Sequence, residues 1–146
     1  MNVIENLDKL LDLLPHQSPL RFVDKITEYI RGKSLAIMFS PSNIPFFHLS
    51  EVPISIFVES VAQSAILLTQ LETSPLSNDE IPLLGSIDVH IHSECLDPNE
   101  EYLIKVNIVK LLSKQAILSG EVMNVRLQKI LSANISVAVA VSIRGD

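Results

Sequence analysis

Residues 52–71, VPISIFVESVAQSAILLTQL, leave this chain few ways to fold. Read as a helix, Ile54, Phe57, Val58, Val61, Ala62, Ala65, Ile66, Leu68 and Leu71 cover it almost all the way round, leaving a thin polar line. Such a helix belongs in a protein core or across a membrane. Glu59, Gln63 and Gln70 interrupt it, so it holds no unbroken apolar run of the roughly 18 residues that a span uses. The expected reading is a core helix. Pro53 suits its first turn, where a missing N–H costs nothing. One carboxylate, Glu59, then falls on about the second turn. A buried carboxylate must be paired, hydrogen-bonded or neutralised, so the purpose of Glu59 is the functional question.

The flanking segments supply a sheet to cover the helix. Residues 3–14 place Ile4, Leu7, Leu11 and Leu14 at helical spacing, Asn2 and Glu5 resemble a capping pair, and Pro15 ends the segment. This predicts a short amphipathic N-terminal helix. Residues 20–30 and 34–40 read as strands around the turn Arg31-Gly32-Lys33. Residues 41–50 form a loop with Phe46, Phe47 and His48, and residues 73–80 a polar, mobile one. Strands are then expected at 83–94, 102–112, 115–126 and 129–143. In the first of these, Ile87, Val89 and Ile91 face inward while Asp88, His90, His92 and Glu94 share the solvent side. The pattern is α+β: one domain, residues 1–146, with an antiparallel sheet of five to six strands wrapped around one long central helix. No repeat or linker divides it.

Composition narrows the partners. A net charge of −6 argues against nucleic acid. Cys95 is the only cysteine, which rules out an intramolecular disulfide and a cysteine metal cluster. At 47% hydrophobic, with mean hydropathy +0.34, the chain has apolar surface to spare, which points to a homo-oligomer. Glu5, Asp8 and Asp12 make the N-terminus unlike a signal peptide, so a cytoplasmic protein without a membrane role is expected.

The chemistry-bearing residues are few. A carboxylate on an apolar helix and a histidine near it can trade protons around neutral pH, which singles out Glu59 and His48. His90 and His92 project from one side of a strand and could ligate a metal, but a solvent-facing polar row explains them better, and no metal site is expected. His16 reads as a turn residue or hydrogen-bonding anchor. Four scattered glycines form no phosphate loop, and Ser60 and Ser64 lack a nucleophile's sharp turn. Cys95, at a strand end, reads as a spectator thiol.

Three pieces, in order, resemble one family. They are residues 14–24, LPHQSPLRFVD; Phe47-His48 followed by Val52-Pro53; and Val58-Glu59-Ser60-Val61-Ala62-Gln63. Together they resemble the β-hydroxyacyl-[acyl-carrier-protein] dehydratases, in a divergent form nearer the members associated with secondary-metabolite or polyene chains. The resemblance implies a hot-dog fold and a dimer with sheets joined edge to edge, in which His48 of one subunit and Glu59 of the other share a site. His48 would take the α-proton of a 3-hydroxyacyl thioester and Glu59 would help the hydroxyl leave. N–H groups near Val52, Pro53, Ile54 and Ser55 would polarise the thioester carbonyl, and Gln63 would orient Glu59. His16 would be structural. No cofactor is implied. The acyl group would arrive on acyl carrier protein or coenzyme A, and Arg21, Lys105, Lys110, Lys114 and Arg126 are candidates for docking a carrier. Two other readings stand beside this one. The first is a thioesterase in which Glu59 activates water. The second is a non-catalytic acyl-binding or partner subunit, favoured by the lack of any glycine between Gly32 and Gly85.

Overall fold

The computed structural model describes residues 8–14, 20–44, 52–73, 80–93 and 96–141. His16, His48, Cys95 and the expected loop residues 45–51 and 74–79 lie outside them. A short 3₁₀ helix, Asp8–Leu13, comes first. The strands are β1 (Lys25–Ile30), β2 (Ser34–Phe39), β3 (Glu80–Ile91), β4 (Tyr102–Leu111), β5 (Gln115–Asn124) and β6 (Lys129–Val141), with the helix α1 (Ile54–Glu72) between β2 and β3. They form one antiparallel sheet in the order β1-β2-β4-β5-β6-β3.

The sheet is shaped around α1. Alternation puts Leu35, Ile37, Ile104, Val106, Leu118, Val122, Leu131, Ile135 and Val137 on one face, all buried. Against them lie Phe57, Val61, Ala65 and Leu68 of the helix. Each fully buried aliphatic side chain is worth about 1.5–3 kcal/mol, so this contact dominates the fold. By length and composition α1 is apolar enough to cross a membrane, but every residue from 60 to 69 is buried. Its apolar surface is spent on the sheet. The aromatic rings continue the core, with Phe57 between Phe39 at 6.0 Å and Tyr102 at 4.6 Å.

Gly120 of β5 sets the approach of helix to sheet. A Cβ there would stand 2.8 Å from Val61 Cγ1 and 3.2 Å from Ile135 Cδ1. The hydroxyls inside the helix serve themselves: Ser64 Oγ donates to Ser60 O at 2.7 Å and Thr69 Oγ1 to Ala65 O at 2.8 Å.

Two strand starts differ from the sequence expectation, each for a physical reason. β1 starts at Lys25 rather than near residue 20, because the backbone of Leu20 and Phe22 is bonded to helix side chains instead of a neighbouring strand. β3 starts at Glu80 rather than Leu83 and takes in Pro82. Proline, which has no N–H, is tolerated there because β3 is an edge strand. A bulge between Leu84 and Ser86 also shifts the register of β3 on β6. Gly85 has to be small at this point, since a Cβ would come within 2.7 Å of Ser136 Oγ.

Gly120→Ala should lower stability by about 1–3 kcal/mol through overpacking against the stiff Val61, read from the urea midpoint; an unchanged midpoint would show that the helix has room to move. The only two tyrosines offer a second check. Burial is the main cause that raises both Tyr29, which also donates to Glu72, and Tyr102 to a pKa of about 12. The native state therefore keeps protons that the unfolded chain releases near pH 10. Stability should be fully present below pH 10 and fall as pH rises through 12, with phenolate absorbance titrating near 12 in the folded protein; a native titration near pH 10 would contradict this.

Candidate functional site

Glu59 is half-buried and sits beside a groove of about 360 Å³ between α1 and the first half of β3. The helix contributes Glu59, Ala62 and Ile66, at successive turns of one face. The edge strand contributes Ile81, Pro82, Leu83 and Leu84. Among these lining residues only Glu59 is ionisable. The Gly85 bulge explains the wall. Strict alternation from Ile87 and Val89 would send Leu83 and Ile81 inward; with the extra residue, Leu84 pairs with the inward Val137 and the buried Pro82 follows it. Leu83 and Ile81 are left 47% and 41% exposed, and Leu84, at the edge of the sheet, 38%.

Gln63, one turn after Glu59, is completely buried and uses both ends of its carboxamide. Its Oε1 accepts from Phe22 N at 2.8 Å. Its Nε2 donates to Leu20 O at 2.8 Å and to Glu59 Oε1 at 3.3 Å. Ser60 Oγ adds a bond to Phe22 O at 2.7 Å. The segment before β1 is thus fastened to the helix, and one oxygen of Glu59 is held from below.

At the start of α1 the four expected donors reduce to two. Pro53 has no N–H. Val52 N donates to Leu96 O at 3.3 Å. The N–H groups of Ile54 and Ser55 have no acceptor among the described residues, and they lie in the first turn, at the positive end of the helix dipole. Ser55 shares a face with Glu59, four residues on. The site therefore offers anion-favouring N–H groups, a carboxylate and an apolar groove in sequence along one helix face.

The other candidates sit apart from it. His90 and His92 are both exposed, ring centres 4.7 Å apart, with His92 Nε2 3.2 Å from Ser132 Oγ. Among the described residues no group of three or more His, Cys, Asp or Glu is placed to hold a metal. A slightly larger depression of about 400 Å³ opens on the outer sheet face beside His90, but Asp88, Asn107, Ser119, Glu121 and Asn134 make it polar. The groove at Glu59 is the better site, because it sets one reactive group in an apolar setting. The five basic residues form no single patch: Lys110 and Lys114 lie at one end of β4 and β5, and Arg126 lies in the β5–β6 turn at the other. Lys114 is paired with Glu80. Sequence reasoning missed the groove wall at 81–84; Pro82 and Gly85, both awkward within a strand, were its only signal.

No family model matches the chain. It is 32% identical over 113 residues to the 3-hydroxyacyl-[acyl-carrier-protein] dehydratase FabZ of Nitrosospira multiformis, covering 72% of this chain and 77% of the other. In solved structures it resembles a thioesterase from Haemophilus influenzae (TM-score 0.72, 8% identity, 97% of this chain and 93% of that one). It also resembles a chain of the dehydratase heterocomplex ApeI:P from Xenorhabdus doucetiae (TM-score 0.72, 15% identity, 89% and 90%). At such identities the structures speak for the shared fold, a hot-dog sheet around its helix.

Gln63→Leu should cost about 1–3 kcal/mol for each backbone group it strands, Phe22 N–H and Leu20 C=O. Urea unfolding checks this, and wild-type stability in the variant would mean that the lead-in segment is held by other contacts.

Proposed function

This chain belongs to the 3-hydroxyacyl-[acyl-carrier-protein] dehydratase family, and from that premise we propose that it removes water from a 3-hydroxyacyl thioester, carried on acyl carrier protein or coenzyme A, to leave a 2-enoyl thioester. The setting is fatty-acid or polyketide/polyene-type synthesis in the cytoplasm, and the working unit is a homodimer with sheets joined edge to edge. The observation that carries the reading is the apolar groove with Glu59 as its one ionisable wall residue. An acyl chain fills the apolar part, and the carboxyl meets the carbon that bears the hydroxyl.

The step balances without a cofactor. His48, whose role rests on the family motif, takes the C2 proton. The electron pair of that C–H bond forms the C2=C3 double bond as the C3–O bond breaks, and Glu59 gives its proton to the departing hydroxyl, which leaves as water. Negative charge gathers on the thioester oxygen in between, and the N–H groups of Ile54 and Ser55, which have no acceptor among the described residues, stabilise it. Gln63 acts as a positioning residue by fixing one oxygen of Glu59.

A thioesterase is the second reading, supported by the fold shared with the Haemophilus influenzae enzyme. Offered a 3-hydroxyacyl carrier thioester, the protein should yield the 2-enoyl thioester. His48→Ala and Glu59→Gln should each slow it about 10²–10⁴-fold, the usual range for a lost acid or base. Released free thiol would favour hydrolysis, and wild-type rates in both variants would remove this pair from the chemistry.

A further inference from the structure

The groove beside Glu59 has a beginning and an end, and the distance between them limits what it can hold. Glu72 and Thr73, at the end of α1, share a hollow with Leu111 and Leu112 at the end of β4. Lys114, just before β5, pairs with Glu80 at the start of β3. The end of the helix and the start of β3 therefore lie at the same end of the sheet, and the two groove walls run in opposite directions. Glu59 and Leu84 stand at the near end, and Ile66 and Ile81 at the far end.

Both walls turn polar past the far end. The helix face continues with Gln70, four residues after Ile66. The strand continues with Glu80 and its ion pair to Lys114. An apolar chain gains nothing by going further. The stretch from Glu59 to Ile66 is about 10 Å at the roughly 1.5 Å rise of a helix residue. A straight chain of carbon–carbon bonds, each about 1.5 Å, advances about 1.3 Å per carbon, so about eight carbons span it. The bore is fixed in the middle. Ala62, between Glu59 and Ile66 on the same face, is the smallest lining residue. Any larger side chain there would stand in the groove.

We propose that Ala62 sets the bore of this groove and that Ile66 and Ile81 set its end, so that the chain selects straight, medium-length acyl groups. With C3 at Glu59, the last carbon held is about C11. The inference rests on the acyl-thioester reading above, but not on which reaction follows. Thioethers of coenzyme A with straight alkyl chains, butyl to hexadecyl, test it by titration calorimetry, because they can be neither dehydrated nor hydrolysed. Kd should fall about fourfold with each methylene taken out of water and level off near undecyl. Ala62→Leu keeps a good helix former and blocks the groove about 4.5 Å past Glu59, so its Kd should level off near hexyl. Ile66→Val, which shortens the stop, should move the levelling to a longer chain. A wild-type Kd that ignores chain length, or the wild-type profile in both variants, would overturn the inference. Turnover distinguishes the underlying reading: a 3-hydroxyacyl thioester that yields no 2-enoyl product strikes the dehydratase and leaves the chain-length profile standing.

Discussion

Nearly everything in this structure follows from the need to hide one helix. α1 has no polar face wide enough to meet water, so the sheet curves around it and β5 gives up a side chain at Gly120 to let it close. A helix buried so deeply cannot carry polar groups casually. Ser60, Ser64 and Thr69 return their hydroxyls to backbone oxygens, and Gln63 spends its whole carboxamide on the segment before β1 and on Glu59. Glu59 is the one charged residue in the middle of this helix, and it lies where the helix reaches the open edge of the sheet.

That edge is where structure and chemistry meet. The first half of β3, bent by Pro82 and Gly85, forms the wall of the groove. The second half pairs regularly with β6. The bulge at Gly85 divides the groove wall from the regular half of the strand. A substituent at Gly85 would press on Ser136 and blur that division.

The long helix was legible because its composition admits almost no other fate, and Glu59 was legible as its exception. The strands from Tyr102 onward were legible as successive β-type segments, the last of them, with ISVAVAVSI, an uninterrupted β-type run. The start of β1 was not. Residues 20–24 have strand-like composition, but side chains about forty positions away, Ser60 and Gln63, compete for their backbone groups. The groove wall was hidden for a related reason: a one-residue bulge inverts the parity that sequence reading depends on. At the helix start, the missing N–H of Pro53 was visible in the sequence, whereas the bond from Val52 to Leu96 is a fact of the fold.

Dehydration and hydrolysis ask different things of the same carboxylate. Dehydration needs it to serve the hydroxyl carbon, whereas hydrolysis needs it to aim water at the thioester carbonyl. Isotope position separates these directly. The protein, given a 2-enoyl carrier thioester in ¹⁸O-enriched water, runs the reaction backward if it is a dehydratase. The account predicts ¹⁸O in the C3 hydroxyl of an intact thioester, and its loss in Glu59→Gln. Label in the carboxylate of a released acid would contradict it.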